Sequence, residues 1–168
     1  MATPASELEW TLRTVASSTR LFWRLLGPIE WSGLSIEFPA DAPREPGIYL
    51  IRVTLGDDTR TYVGEAADLS RRLRRYSGRP EERPYQRGMT STNMRGRLTR
   101  TFCAGGKAVI YLLQLPLEQS PARESLDPAR KDHRIMIERL AISAAYLHGE
   151  QLINEEGFPA YPDGHPLQ

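Results

Sequence analysis

The stretch GIYLIRVTLGDDTRTYVG, residues 47–64, decides the fold. Residues 47–54 are apolar and β-branched, as a mostly buried strand requires. Gly56-Asp57-Asp58 is a turn signal. Residues 60–64 read as a returning strand, so the segment is predicted to form a β-hairpin. Each strand carries one tyrosine inside a short tripeptide: Gly47-Ile48-Tyr49 and, thirteen residues after Tyr49, Tyr62-Val63-Gly64.

Working outward from the hairpin, Asp68 is a good N-cap for a helix over 69–76, stopped near Gly78. Residues 77–90 hold prolines and charges and read as a loop. Ser91 or Thr92 opens a second helix, which Gly105-Gly106 closes. The run KAVIYLLQL, 107–115, is the most strand-like in the chain. A polar linker, 116–127, leads to Asp127-Pro128, read as N-cap and first residue of the longest helix, 128–148, closed by Gly149. On the N-terminal side, Pro39, Pro43 and Pro46 precede the hairpin, and 33–38 can form a short strand. Residues 6–26 read as a helix, because Ser6 and Glu9 make a capping box. Leu8, Leu12, Val15, Leu21 and Leu25 return near helical spacing, and Gly27-Pro28 ends the run.

The order hairpin, helix, helix, strand, helix predicts a mixed α/β (α+β) fold with a small three-stranded sheet flanked by helices. One domain is expected. Residues 1–40 form an N-terminal helical extension, 41–155 the core and 156–168 a C-terminal tail.

The chain has 168 residues, 40% of them apolar and 26% charged, which suits a folded domain with a real core. No run of 18 apolar residues suggests a membrane span, and no leader pattern opens the sequence. The single cysteine, Cys103, excludes an internal disulfide and fits a reducing, cytoplasmic setting. Cys103 itself is expected to be an inert buried thiol. The net charge of +1 hides a strong asymmetry. Between 71 and 100 ten arginines stand against Glu81 and Glu82, so that stretch is +8 and the remainder −7. Such an arginine excess is the footprint expected of a polyphosphate partner such as nucleic acid; the bland reading is an arginine-rich composition with solvated faces.

The two tripeptides, followed by EAADLSRRLRRY, resemble the GIY-YIG nuclease superfamily. In that family a key arginine stands ten residues after the second tyrosine, which is Arg72 here. A Tyr or His four residues on matches Tyr76. A glutamate on a later helix and an asparagine after it match Glu138 and Asn154. The resemblance spans residues 47–154, with little motif content in 77–127. Two departures stand out. Glu65 follows the second tripeptide where the repair-enzyme branch often has lysine, and Glu138 and Asn154 lie farther apart than in that branch.

The resemblance implies a metal-dependent DNA endonuclease. Glu138 would hold Mg²⁺ or Mn²⁺, since a hard carboxylate suits an ion that keeps several waters. Tyr49 would act as general base, helped by Arg72 or the metal, because a free phenol has a pKa of about 10. Arg72 would bind phosphate bidentately. Tyr62 would position water or a phosphate oxygen, Tyr76 would add a hydrogen bond from the helical face of Arg72, and Asn154 would orient the site. Arg71, Arg75, Arg79, Arg83, Arg87 and Arg95 are the candidate DNA contacts. Compact members of this plan resemble restriction enzymes, so a homodimer is one arrangement to expect.

On the residues alone, Tyr49 and Tyr62 also read as core phenols, and Arg72 as one solvated arginine among many. Glu138, one turn from Arg134, also reads as half of a helix-surface ion pair. His133, His148 and His165 lack metal-ligand spacing, and Tyr111, Trp10, Trp23 and Trp31 read as packing. Two other functions stay open: a nucleic-acid-binding module without catalysis, and a toxin or effector that cuts RNA or DNA.

Overall fold

A computed structural model describes residues 6–13, 18–77, 90–115, 117–120 and 125–154. The expected hairpin is β4 (Gly47–Leu55) and β5 (Asp58–Ala66), paired antiparallel from Gly47↔Ala66 to Leu55↔Asp58. Its loop is Gly56-Asp57, and Gly56 has φ +59°, the left-handed conformation that a two-residue hairpin needs. β6 (Lys107–Leu113) lies antiparallel against the other edge of β4.

The sheet does not stop at three strands. β1 (Glu7–Arg13) and β2 (Ser18–Trp31) form a second hairpin, and β2 pairs antiparallel with β6. β3 (Ile36–Glu37) and β7 (Glu118–Ser120) also pair with β2, and β8 (Gln151–Leu152) runs parallel to β5. Among the described residues the result is one eight-stranded mixed sheet with the main order β1-β2-β6-β4-β5-β8. This corrects the expectation of a small three-stranded sheet with an N-terminal helix. In residues 18–24 burial alternates, with Thr19, Leu21 and Trp23 inside, which is the period of a strand. Ser6 and Glu9 therefore cap no helix. Gly27-Pro28 does not end an element either; it sits within β2, beside a register shift between Leu25 and Gly27.

Three helices complete the described chain. α1 (Leu69–Tyr76) is capped by Asp68, whose Oδ1 accepts from Arg71 N at 2.8 Å. It buries Leu69, Leu73 and Tyr76, one face at helical spacing. α2 (Thr90–Cys103) follows, and α3 (Lys131–Leu147) is the longest. Asp127 does not cap α3. Its Oδ1 accepts from Ala129 N at 2.9 Å and makes a turn, so the helix starts later, with Arg130 at the N-cap. Cys103 is exposed, not buried as expected, because it stands in the last turn of α2 with its face to solvent. No helix among the described residues is long and apolar enough to cross a membrane.

Alternation along the strands splits the core in two. Tyr49, Ile51, Tyr62, Ile110 and Leu112 face α1 and α2 on one side of the sheet. Ile48, Leu50, Val63, Tyr111 and Leu113 face α3 on the other. Trp10 and Trp23 lie in this second core, with ring centroids 5.3 Å apart in an edge-on contact. α3 buries Ala141, Ala144 and Ala145 there, small residues that let it sit close to the strands.

Candidate active site

The site forms where the two faces of the sheet meet, around the outer edge of β5. Tyr49 stands directly across from Gly64. A Cβ at Gly64 would lie 2.5 Å from Tyr49 Oη, so the ring occupies the space that glycine leaves. The Tyr49 hydroxyl meets the Tyr76 hydroxyl at 2.5 Å. The rings of Tyr62 and Tyr76 lie 6.1 and 6.2 Å from that of Tyr49, and Phe38 backs Tyr76 at 6.0 Å. Tyr49 and Tyr76 have no exposed surface, whereas Tyr62 keeps 8%.

Burial raises the pKa of all three phenols above the ordinary value, and their mutual repulsion raises Tyr49 and Tyr62 further. They are therefore neutral at physiological pH. Stability follows from this with a definite sign. Above about pH 10 the unfolded chain releases its phenolic protons while the folded chain keeps them. Stability conferred by the cluster is complete below that pH and is lost as pH rises through the raised values. Urea melts at pH 8 and pH 11 should show a lower midpoint at the higher pH in the wild type. In Tyr49→Phe the pH-induced drop should shrink, and an equal drop in both proteins would refute the assignment.

Arg72 projects from α1 into the same cluster. Its Nη2 donates to Glu65 O at 3.5 Å. Burial works against its charge, but the oxygens of Tyr49, Tyr76 and Tyr62 and the Glu65 carboxylate outweigh that and raise its pKa. Glu138 approaches from α3, on the opposite side of the sheet. Burial and the nearby Glu65 carboxylate push its pKa up, while Arg72, the Glu65 backbone N–H and Arg139 partly offset this. Glu138 is close enough to Tyr62 and Tyr76 to influence their titration. So Tyr49, Tyr62, Arg72 and Tyr76 converge, with Glu138 within electrostatic reach of them.

Asn154 sits at the margin of this group. Val63 N donates to its Oδ1 at 2.8 Å, and its Nδ2 donates to Val63 O at 2.6 Å. It completes the β5 edge as a short strand would, two residues from Glu65.

The candidate DNA contacts divide. Arg71 and Arg75 are exposed on α1. Arg95 is buried, and its guanidinium donates to Tyr76 O at 3.3 Å and Arg75 O at 2.7 Å. It therefore caps the end of α1 and is turned away from the solvent that a DNA contact needs. Arg79, Arg83 and Arg87, like His165 and the tail 156–168, lie outside the described residues.

The helix-surface pair between Arg134 and Glu138 does not form, because Arg134 turns to Glu65. Arg134 Nε donates to Glu65 Oε2 at 2.7 Å, and its Nη1 donates to Pro128 O and Ala129 O, both at 2.9 Å. This contact was invisible in the sequence, since its partners are 69 positions apart. Among the described residues no group of three or more His, Cys, Asp or Glu forms a metal cage. His148 Nε2 accepts from Thr11 N at 3.1 Å, and the ring stacks on Trp10, a packing role. No family model, curated protein or solved structure matches this chain.

Proposed function

We propose that this chain is a divalent-metal-dependent endonuclease that hydrolyses DNA phosphodiester bonds through a GIY-YIG-type site. The observation that carries this reading is the convergence of Tyr62, Arg72 and Glu138. They come from β5, α1 and α3, yet lie within electrostatic reach of one another around one sheet edge backed by Tyr49 and Tyr76.

Arg72 is half-buried and firmly charged, and its planar donors suit a phosphate. Glu138 is the residue to hold Mg²⁺ or Mn²⁺. Its raised pKa marks a carboxylate whose charge is poorly compensated, and a bound cation relieves that. Such an ion supplies positive charge to the phosphate and the leaving oxygen. Tyr62, the one partly exposed phenol of the cluster, presents a hydroxyl to water or to a phosphate oxygen. Tyr49 has no exposed surface in this state, so its part is to hold Tyr62 and Tyr76 in place. Exposed Arg71, Arg74 and Arg75 on the outer face of α1 would guide the DNA backbone toward Arg72.

The test is cleavage of supercoiled plasmid and linear genomic DNA with Mg²⁺, with Glu138→Ala and EDTA as controls. Discrete fragments from the wild type alone are expected of a sequence-selective enzyme, and a smear of one without sequence choice. Binding that is salt-sensitive and lost in Arg72→Ala, without any cutting, would replace this reading with a binding module. Cleavage of RNA in preference to DNA would point to an effector.

A further inference from the structure

The chain that leaves α3 returns to β5 as a hook, residues 149–154. Gly149 turns it out of the helix, with Glu150 N donating to Ala145 O at 3.0 Å. Arg52 and Thr61 stand directly across from each other in the β4–β5 ladder. The Glu150 carboxylate bridges them: Arg52 Nη2 donates to Oε1, and Thr61 Oγ1 donates to Oε2 at 2.6 Å. The side chains of this ion pair are largely withdrawn from solvent, Arg52 at 23% and Glu150 at 15% exposure. Farther along the hook, Ile153 N donates to Thr61 O at 2.8 Å, and Val63 exchanges two bonds with the Asn154 amide.

We propose that Glu150 is a positioning residue for the candidate site: it clasps this hook to β4 and β5 and so seats Asn154 on Val63, between Tyr62 and Gly64. Its consequence for cleavage rests on the nuclease reading above. β8, the strand within the hook, is two residues long and pairs with Arg60 and Thr61, too short a ladder to fix its own register. Burial of Leu152 and Ile153 holds the hook down, but apolar burial is non-directional. A slip of one residue would set Ile153 against Val63 in place of Asn154. Of those two side chains only the amide carries both a donor for the Val63 C=O and an acceptor for its N–H. A carboxylate gripped at both oxygens from two strands is directional, and bonds to charged groups are shorter and stronger than neutral ones. Glu150 thus acts through Asn154, which holds the β5 peptide next to Tyr62.

Two measurements on the full chain test this. The first is amide hydrogen exchange, which reads local opening residue by residue. Glu150→Ala should speed exchange at Val63 and Ile153 by about tenfold or more, as expected for loss of bonds to a charged group. The amides of Tyr62 and Gly64 alternate with that of Val63 and face β4, so they should not change. Thr61→Val keeps the side-chain shape and removes only the hydroxyl, and it should speed the same two amides by a smaller factor. The second measurement is plasmid cleavage. Glu150→Ala should lower kcat by about tenfold with little change in KM, the scale of a small misplacement at a reacting site. Combined with Asn154→Ala it should cost no more than Asn154→Ala alone, because one residue works through the other. Glu150→Gln can still accept from Thr61 or Arg52 and should recover more than half of the alanine loss. Unchanged exchange at Val63, equal acceleration at Val63, Tyr62 and Gly64, or losses that multiply in the double variant would each overturn the proposal. If the wild type cuts no DNA, the nuclease reading fails alone and the exchange experiment still decides whether Glu150 seats Asn154.

Discussion

Arg72→Ala is expected to slow DNA cleavage by roughly 10³-fold, the scale for losing a fixed cation or donor at a transferring phosphate. The argument is electrostatic. Arg72 is the one permanent cation beside the phenols, and a guanidinium stays charged when half-buried. Its planar donors can serve Glu65 O and a phosphate oxygen together. Lysine offers a point charge on a flexible stem, so Arg72→Lys should recover less than a tenth of the lost rate. The fold should survive both changes. The side chain is only half-buried, and alanine is favourable in a helix. Single-turnover rates beside matched thermal melts check this. A folded Arg72→Ala protein that cuts within tenfold of wild type would remove Arg72 from the chemistry.

Gly64→Ala should destabilise the chain by on the order of 3 kcal/mol, at the upper end for overpacking a core. The new Cβ would lie 2.5 Å from Tyr49 Oη, 2.6 Å from Tyr49 Cζ and 2.9 Å from Tyr62 Cε1. Neither ring has easy room to move. Tyr49 is tied to Tyr76 through its hydroxyl, and Phe38 closes the far side. Gly47→Ala is the control. There the nearest atom is Leu69 Cδ1 at 2.8 Å, the far end of a flexible side chain, which can rotate away. Urea denaturation should therefore rank Gly64→Ala well below Gly47→Ala in stability. The reverse order would show that the phenol cluster is looser than its contacts indicate.

The hairpin was legible because its β-branched run and its Gly56-Asp57 turn both favour one local geometry. α1 was legible because Asp68 and the spacing of Leu69, Leu73 and Tyr76 agree. The N-terminal strands were misread because Leu8, Leu12, Leu21 and Leu25 also fit helical spacing. The alternation of Thr19, Leu21 and Trp23 was the competing signal, and partners in β6 some 90 positions on settled it. The tyrosines, Arg72 and Glu138 were singled out through their pattern in the sequence, and the structure gathers them. What stayed hidden was long-range: the Glu65–Arg134 pair, the turn of Arg95 onto the end of α1, and the burial of Tyr49. None of these follows from local spacing, because each depends on how a helix packs against an element distant in the sequence.

The phenols and Arg72 all lie within residues 49–76, whereas Glu138, on the far side of the sheet, and Asn154, on the β5 edge, come much later in the chain. During synthesis from the N-terminus, the hairpin and α1 leave the ribosome well before α3 does. A nascent chain halted before residue 138 would own the arginine proposed to bind phosphate but not the carboxylate proposed to hold the ion. An enzyme of the proposed kind would thus be harmless to nucleic acid until α3 had been made and had docked.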